Sequence, residues 1–440
     1  MLRRTARRTL PTLVAAAAAA GLTAAGPANA DPRPDAANGA GPPEDIRVAT
    51  FNVSMFRLTH GELAADLADA DDEKQDEEVR NVAEIIQRQR PDVLLLNEFD
   101  YDPNGVALRR FQDNFLAVGQ GGAEPITYPY AMVFASNTGI ASGFDLNNDG
   151  RVGTSGRAYG DDSFGFGEFP GQYAFALLSQ HPIDRDAVRT FQTFRWADMP
   201  GALLPDDPAT PQPADWYSPA ELEVFRLSSK NHVDVPVIVN GRAVHVLASH
   251  PTPPTFDGPE DRNGTRNHDE IRFWADYVSP GARSAYIYDD EGEHGGLTPG
   301  AAFVVMGDLN ADASNDGDSI DGAADQIVEH PFVRDPLPDS EGAVEASRLQ
   351  GGVNRTHVGN PAYDTADFAD FSAGNLRVDY VLPSRPLKVL GAGVFWPVQA
   401  DPLFRLTGVF DRSYTNGFPS SDHRMVWVDL AVPPSGPHRS

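Results

Sequence analysis

Two short stretches late in the chain put hard oxygen ligands and an imidazole where a strand stops. In GDLNAD, residues 307–312, Asp308 and Asn310 follow the apolar run Ala302 to Met306. Alternate residues of an extended chain point the same way, so a carboxylate and a carboxamide would project into one small space. In SSDHRMV, residues 420–426, Asp422 and His423 stand just before another apolar run. Other runs end in the same manner, with Asn52 in TFNV, Glu98 in LLLNEFD, His250 in ASH and Asp379 in RVDYVL. Carboxylates of this kind bind Mg²⁺, Mn²⁺ or Ca²⁺, and an imidazole beside them transfers protons or contacts anions. Taken singly, an Asp after a strand is an ordinary turn residue. Taken together, the strand ends describe a converging polar site.

The elements that must position these groups are strands. Apolar runs at 46–53, 92–99, 173–179, 234–240, 243–249, 302–310, 377–383 and 425–432 have strand length and composition. Helical periodicity is clearest at 77–92, where Val79, Val82, Ile85 and Ile86 form one stripe that Pro91 ends, and a second helix is expected over 267–278. Stretches at 135–170, 195–230, 251–266 and 335–375 are rich in Gly, Pro and Asp and read as loops. Hairpins with interspersed helices indicate an α/β layered sandwich. The domain is expected over 46–432, with a Pro- and Gly-rich linker at 31–45 and a tail at 433–440.

The first 30 residues combine four arginines, an Ala-rich run and Ala28-Asn29-Ala30, the three parts of an export signal cleaved after Ala30. Arg7-Arg8 fits either the twin-arginine route or a plain basic leader. No apolar run has the length of a membrane span, so no anchor is expected. Four of the 35 Lys and Arg residues lie in the leader, which leaves 31 against 63 Asp and Glu, a formal charge of −32. Such a field disfavours a polyanionic partner, since duplex binding normally needs a basic face. There is no cysteine, which excludes disulfides and thiolate metal sites. The chain is expected to act as a monomer outside the cytoplasm.

In this order the motifs resemble the endonuclease/exonuclease/phosphatase family, over residues 46–432. The likeness rests on TFNV, LLLNEFD, ASH, GDLNAD, RVDYVL and SSDHRMV, and the pairing of GDxN with a later SDH is its most specific part. The resemblance implies a four-layer sandwich, two packed mixed β-sheets flanked by helices. It implies a divalent-metal-dependent phosphoesterase that hydrolyses phosphomonoesters or phosphodiesters. Glu98, with Asn52 and Asp422 beside it, would hold the cation. Asp308 would orient or deprotonate the attacking water, and Asn310 would donate to a phosphate oxygen. His423 would contact the phosphate with its tautomer set by Asp379, and His250 would assist as acid or phosphate ligand. His245, on the opposite face of its strand, reads as structural. The acidic strand end is Asn-Glu where many relatives have Gln-Glu, and no second Glu to pair with His250 is apparent.

Other stretches suggest ligands outside that set. DLNNDG offers Asp145, Asn147 and Asp149 at calcium-loop spacing with Gly150 at the sixth position, although position twelve is Gly156 where a Glu is usual. DASNDGDS, from Asp312, is a second partial copy. Arg262 and Arg266 follow His250 closely enough to receive a phosphate at the pocket mouth, or else to pair with Asp257, Glu260 and Asp269. A small phosphoester is the substrate favoured by charge. A nuclease, sharing the whole catalytic set, and an inactive calcium-binding protein are the alternatives.

Overall fold

The computed structural model describes residues 41–68 and 74–435. The leader, its cleavage site and most of the linker lie outside them. Strands are numbered in chain order, and two mixed sheets carry the fold. The first runs β12 (Lys388–Val394), β13 (Val426–Val432), β1 (Glu44–Met55), β2 (Val93–Phe99), β4 (Phe175–Ser179) and β3 (Tyr130–Val133). The second runs β11 (Asp379–Pro383), β8 (Ala302–Asp308), β7 (Arg242–Ser249), β6 (His232–Val239) and β5 (Arg189–Thr190). A small pair, β9 (Ala366–Asp367) and β10 (Asn375–Leu376), stands apart. Among the described strands, only β1 with β2 and β7 with β8 pair in parallel.

Side-chain alternation explains the layers. In β8, Val304 and Met306 join Val48, Leu95, Val246 and Val428 in the core between the sheets. Phe303 and Val305 turn to the other side and pack with Ile271 and Trp274 of the helix Arg262–Tyr277. In β1, Phe51 and Val53 face the helix Lys74–Gln89, against Val79, Val82 and Ile86. Strands buried on both faces need apolar residues at consecutive positions, which accounts for the unbroken runs. Each such side chain contributes roughly 1.5–3 kcal/mol of burial. The result is the expected four layers of helix, sheet, sheet and helix.

Some elements differ from the sequence reading. The stretch 335–375, read as a loop, holds the helix Glu341–Gln350, whose start is capped by the Ser340 hydroxyl accepting from the Ala343 N–H. β12 was not anticipated because Gly391 and Gly393 interrupt its apolar pattern. A helix at Val106–Leu116, wound more loosely over its second half, was also not anticipated. β8 stops at Asp308, and Asn310 takes a left-handed φ of 51°.

The topology gathers the polar residues at one edge. β1, β2, β7 and β8 all end there, while β11 and β13, antiparallel to β8 and β1, begin there. Close sheet packing at this edge requires Gly307, whose φ is 147° and whose added Cβ would lie 2.0 Å from the Ser249 carbonyl oxygen. We predict that Gly307→Ala lowers stability by about 2 kcal/mol or more, because the clash is with backbone and adds to torsional strain. Chemical denaturation measures it, and parent-like stability would show that β7 and β8 can separate there freely.

Candidate active site

Asp308 occupies the centre of the edge. Its Oδ2 accepts from Asn52 Nδ2 at 3.1 Å and its Oδ1 from the Asn310 N–H at 2.9 Å. His250 Nε2 and His423 Nε2 lie 3.3 and 3.7 Å from Oδ2. Directly across the strand pair, Asp379 is the register partner of Asp308. Its Oδ2 accepts from His423 Nδ1 at 2.8 Å and from the Thr365 hydroxyl at 2.9 Å, while its Oδ1 is buried without a donor among the described residues. Burial would favour a neutral imidazole, but Asp379 and then Asp308 hold His423 in its charged form and raise its pKa well above the usual range. Burial pushes the Asp379 carboxyl up to about 6.

His250 is in the opposite state. Burial first, then the charges of Lys230 and His423, hold its pKa well below the usual value, so the ring stays neutral. Its Nδ1 is buried and has no hydrogen-bond partner among the described residues, so the only carboxylate beside the ring there is Asp308, on the Nε2 side.

On the first sheet, Glu98 and Asp422 face this group. Burial and the nearby Asp422 push the Glu98 carboxyl up to about 7, with His423 and Asn52 opposing. Asp422 is fixed by the Ser54 hydroxyl at 3.1 Å, and Ser421 donates to the Asn52 carbonyl at 2.8 Å. The backbone is strained where it delivers these groups: Ser54 and Glu98 have φ of 48° and 56°, and the β1–β2 register shifts between Asn52 and Met55. Left-handed torsions in such residues cost about 1–3 kcal/mol each and cluster where function demands the geometry.

Crowded carboxylates with raised pKa values and an orphaned Asp379 oxygen suit a bound cation. Oxygen and nitrogen atoms of Asp308, Asp379 and His423 all lie within 4.8 Å of one another, close enough to hold an ion.

A model of the endonuclease/exonuclease/phosphatase family matches residues 49–423. The chain belongs to this family. It is accordingly a metal-dependent hydrolase acting on ester bonds. No curated protein sequence matches it. Among solved structures it is similar to an endonuclease/exonuclease/phosphatase from Beutenbergia cavernae, at 17% identity over 90% of this chain and 73% of that one, TM-score 0.44. It is also similar to truncated Caenorhabditis elegans TDP2, at 16% identity over 88% of this chain and 98% of that one, TM-score 0.40. A mannosyl-6-phosphatase from Bacteroides thetaiotaomicron matches at 12% identity over 88% and 99%, TM-score 0.40. These values are too low for any of the three to indicate what this family member acts on.

The arginines expected at the mouth are placed otherwise. Arg266 is buried, and it donates to the carbonyls of Leu227, Phe164 and Arg226 at 2.8, 2.6 and 3.0 Å. It braces these loops from inside the protein. Arg262 is paired with Glu260. In the DLNNDG loop, Asp145 accepts from the N–H groups of Asp149 and Gly150 at 3.0 and 2.8 Å, Asn147 from Asp149 at 3.1 Å, and Asp149 from Arg151 at 2.9 Å. Those bonds shape a turn. His245 bonds Asp234 at 2.7 Å, away from the site.

Two site cations escaped the sequence reading. Lys230 is buried, donates to the Pro251 carbonyl at 3.3 Å, and has Glu270, Glu98 and Asp308 as its charge partners. It lies in SSKNH, at the end of a stretch read as loop, with no pattern to mark it. Arg424 is fully buried: its Nη1 donates to the carbonyls of Ser421 and His423 at 2.6 and 3.1 Å, and its Nη2 to Asp367 at 3.3 Å. It locks the turn that aims Asp422 and His423, and its place directly after them was the available signal.

We expect Asp379→Asn to lower the His423 pKa, because the charge that most favours imidazolium is removed. A raised pKa keeps His423 protonated as pH rises, so the alkaline limb of the activity profile should move to lower pH in the variant. An unmoved limb in a pH–rate comparison would show that His423 does not titrate in the reaction.

Proposed function

We propose that this family member is an exported phosphoesterase that cleaves small phosphomonoesters or phosphodiesters by attack of water, with a divalent cation. The observation that carries the reading is Asp308, a buried carboxylate held at both oxygens between two imidazoles and facing Glu98 and Asp422. Such a group is fixed in place to accept a proton from water.

The other residues have complementary work. His423, kept cationic by Asp379, presents Nε2 toward the space in front of Asp308, where a phosphoryl oxygen would gather negative charge. Asn310 donates one amide hydrogen to the Pro251 carbonyl at 3.1 Å, which orients the carboxamide and leaves the second hydrogen for the substrate. Lys230 adds positive charge behind the same oxygens, and His250, neutral, closes the wall against water. Glu98, with Asn52 and Asp422 beside it, would hold the cation, whose chemistry is to polarise phosphoryl oxygens and stabilise the leaving oxyanion. The atoms of Asp308, Asp379 and His423 also lie close enough to share an ion, but only with His423 neutral in place of the imidazolium.

Export rests on the leader sequence, and no helix of the described residues is long and apolar enough to cross a membrane. The choice of a small ester rests on charge. With 31 basic and 63 acidic residues after the leader, a nucleic-acid rod would meet repulsion over most of the surface, while a small ester needs only the local cations.

Asp308→Asn and His423→Ala should each lower turnover by on the order of a hundredfold or more, since both act on charge in the transition state. Near-normal activity in either would remove it from the chemistry. Glu98→Gln should shift half-activation to higher Mg²⁺ or Mn²⁺ concentration; an unchanged metal titration would move the cation to the Asp308, Asp379 and His423 group. Specific activity on plasmid DNA and on small mono- and diesters, at low salt with saturating cation, decides the substrate class. Efficient plasmid degradation with poor cleavage of small esters would establish a nuclease instead.

A further inference from the structure

The inner face of the helix Arg262–Tyr277 carries polar side chains where a core-facing helix normally carries apolar ones. Asn267 and Glu270, three apart and therefore neighbours on that face, are both buried. Glu270 holds two separate segments: one carboxylate oxygen accepts from the Ser229 N–H and the other from the Thr252 N–H, each at 2.6 Å. Asn267 Nδ2 donates to the Thr252 and Leu309 carbonyls at 2.8 and 2.9 Å. One turn further on, Trp274 Nε1 donates to the Ser249 hydroxyl at 2.8 Å. The helix thus grips the end of β7, the end of β8 and the approach to β6.

One peptide unit links this grip to the chemistry. The Thr252 N–H held by Glu270 and the Pro251 carbonyl lie in the same plane, because the bond between them does not rotate freely. That carbonyl accepts from Lys230 Nζ at 3.3 Å and from Asn310 Nδ2 at 3.1 Å. The two donors therefore stand side by side on one oxygen, whose direction Glu270 sets. The other Glu270 oxygen fixes the Ser229 N–H, directly before Lys230 in the chain, and the Ser229 hydroxyl bonds the His250 carbonyl at 3.4 Å. Glu270 is thus the point at which the segments carrying Lys230, His250 and, through Pro251, Asn310 are joined.

We propose that Glu270 is a positioning residue of the hydrolysis: it aims the Pro251 carbonyl so that the Asn310 carboxamide and the Lys230 ammonium are held in one fixed arrangement toward the phosphoryl oxygens. This rests on the assignment of Asn310 and Lys230 to those oxygens made above. A carboxylate suits the task because two N–H groups converge on it, and only a side chain with acceptors at both ends and no donor satisfies both inside the protein. Bonds of 2.6 Å to an ionised group are short and strong, so the peptide plane has little freedom to tilt. Misplacing reacting groups by about 1 Å costs on the order of a hundredfold in rate, which is why a residue that never meets the substrate can govern turnover.

A mutant cycle tests it, with p-nitrophenyl phosphate and bis(p-nitrophenyl) phosphate as probes, saturating Mn²⁺, and a temperature at which circular dichroism shows every variant folded. Glu270→Gln keeps the size of the side chain but turns an N–H toward one of the two backbone donors, and it should lower kcat by about tenfold or more on the ester the parent cleaves better. In a chain already carrying Asn310→Ala and Lys230→Met the same substitution should cost less than about twofold, because the groups it misaligns are gone. Glu270→Asp, which keeps both acceptors but reaches less far, goes through the same cycle, so a folding failure in one variant leaves the other to decide. Half-activation by Mn²⁺ should stay at the parent value, since Glu98 and Asp422 are carried by the other sheet. A shifted metal titration, or an equal loss in both backgrounds, would show general loosening and overturn the role of Glu270. If Asn310→Ala with Lys230→Met leaves turnover as in the parent, the assignment of those two residues fails, and the role of Glu270 with it.

Discussion

Asp308 and Asp379 are two carboxylates placed directly opposite each other on adjacent strands, inside the protein. Like charges in that position repel, and with solvent excluded the repulsion is strong. His423 makes the pairing tolerable, bonded to one carboxylate and 3.7 Å from the other. Much of the surrounding structure serves to keep that imidazolium in place. Thr365 fixes Asp379, and it also accepts the N–H groups of Val378 and Asp379 at 3.0 Å. Arg424 fixes the turn before β13, stacked 4.4 Å from the Trp396 ring and 5.4 Å from Phe418.

The same edge concentrates strain. Ser54, Glu98 and Asn310 all lie in the left-handed region within or just past strands that point at the site. A few kcal/mol of torsional cost is sustained there because the strands behind are pinned by apolar packing on both faces. The inter-sheet core and the two helix layers therefore act as a clamp, and the polar residues are held where relaxation would otherwise carry them apart.

Charge is arranged on two scales. The chain is strongly acidic, yet buried positive groups, Lys230, His423 and Arg424, stand at the edge that carries Asp308. A long polyanion meets the first scale before the second, whereas a small anion entering the site is governed by the second.

The sequence by itself determined the sandwich and most of its strands, because strands buried on both faces must be written as continuous apolar runs and their polar ends stand out against them. It also named Asn52, Glu98, His250, Asp308, Asp379 and His423, which lie where rigid strands begin or end. Only the tertiary structure decided the rest. Spacing could not tell that Arg266 spends its guanidinium on three backbone carbonyls, since that depends on loops far away in sequence. Lys230 was invisible for the same reason: a charge in a loop carries no periodic signal, and its meaning comes from the charges that folding brings beside it. β12 escaped because its glycines leave no apolar alternation. Local pattern records which faces are buried, while electrostatic role is a property of neighbours that only the folded chain supplies.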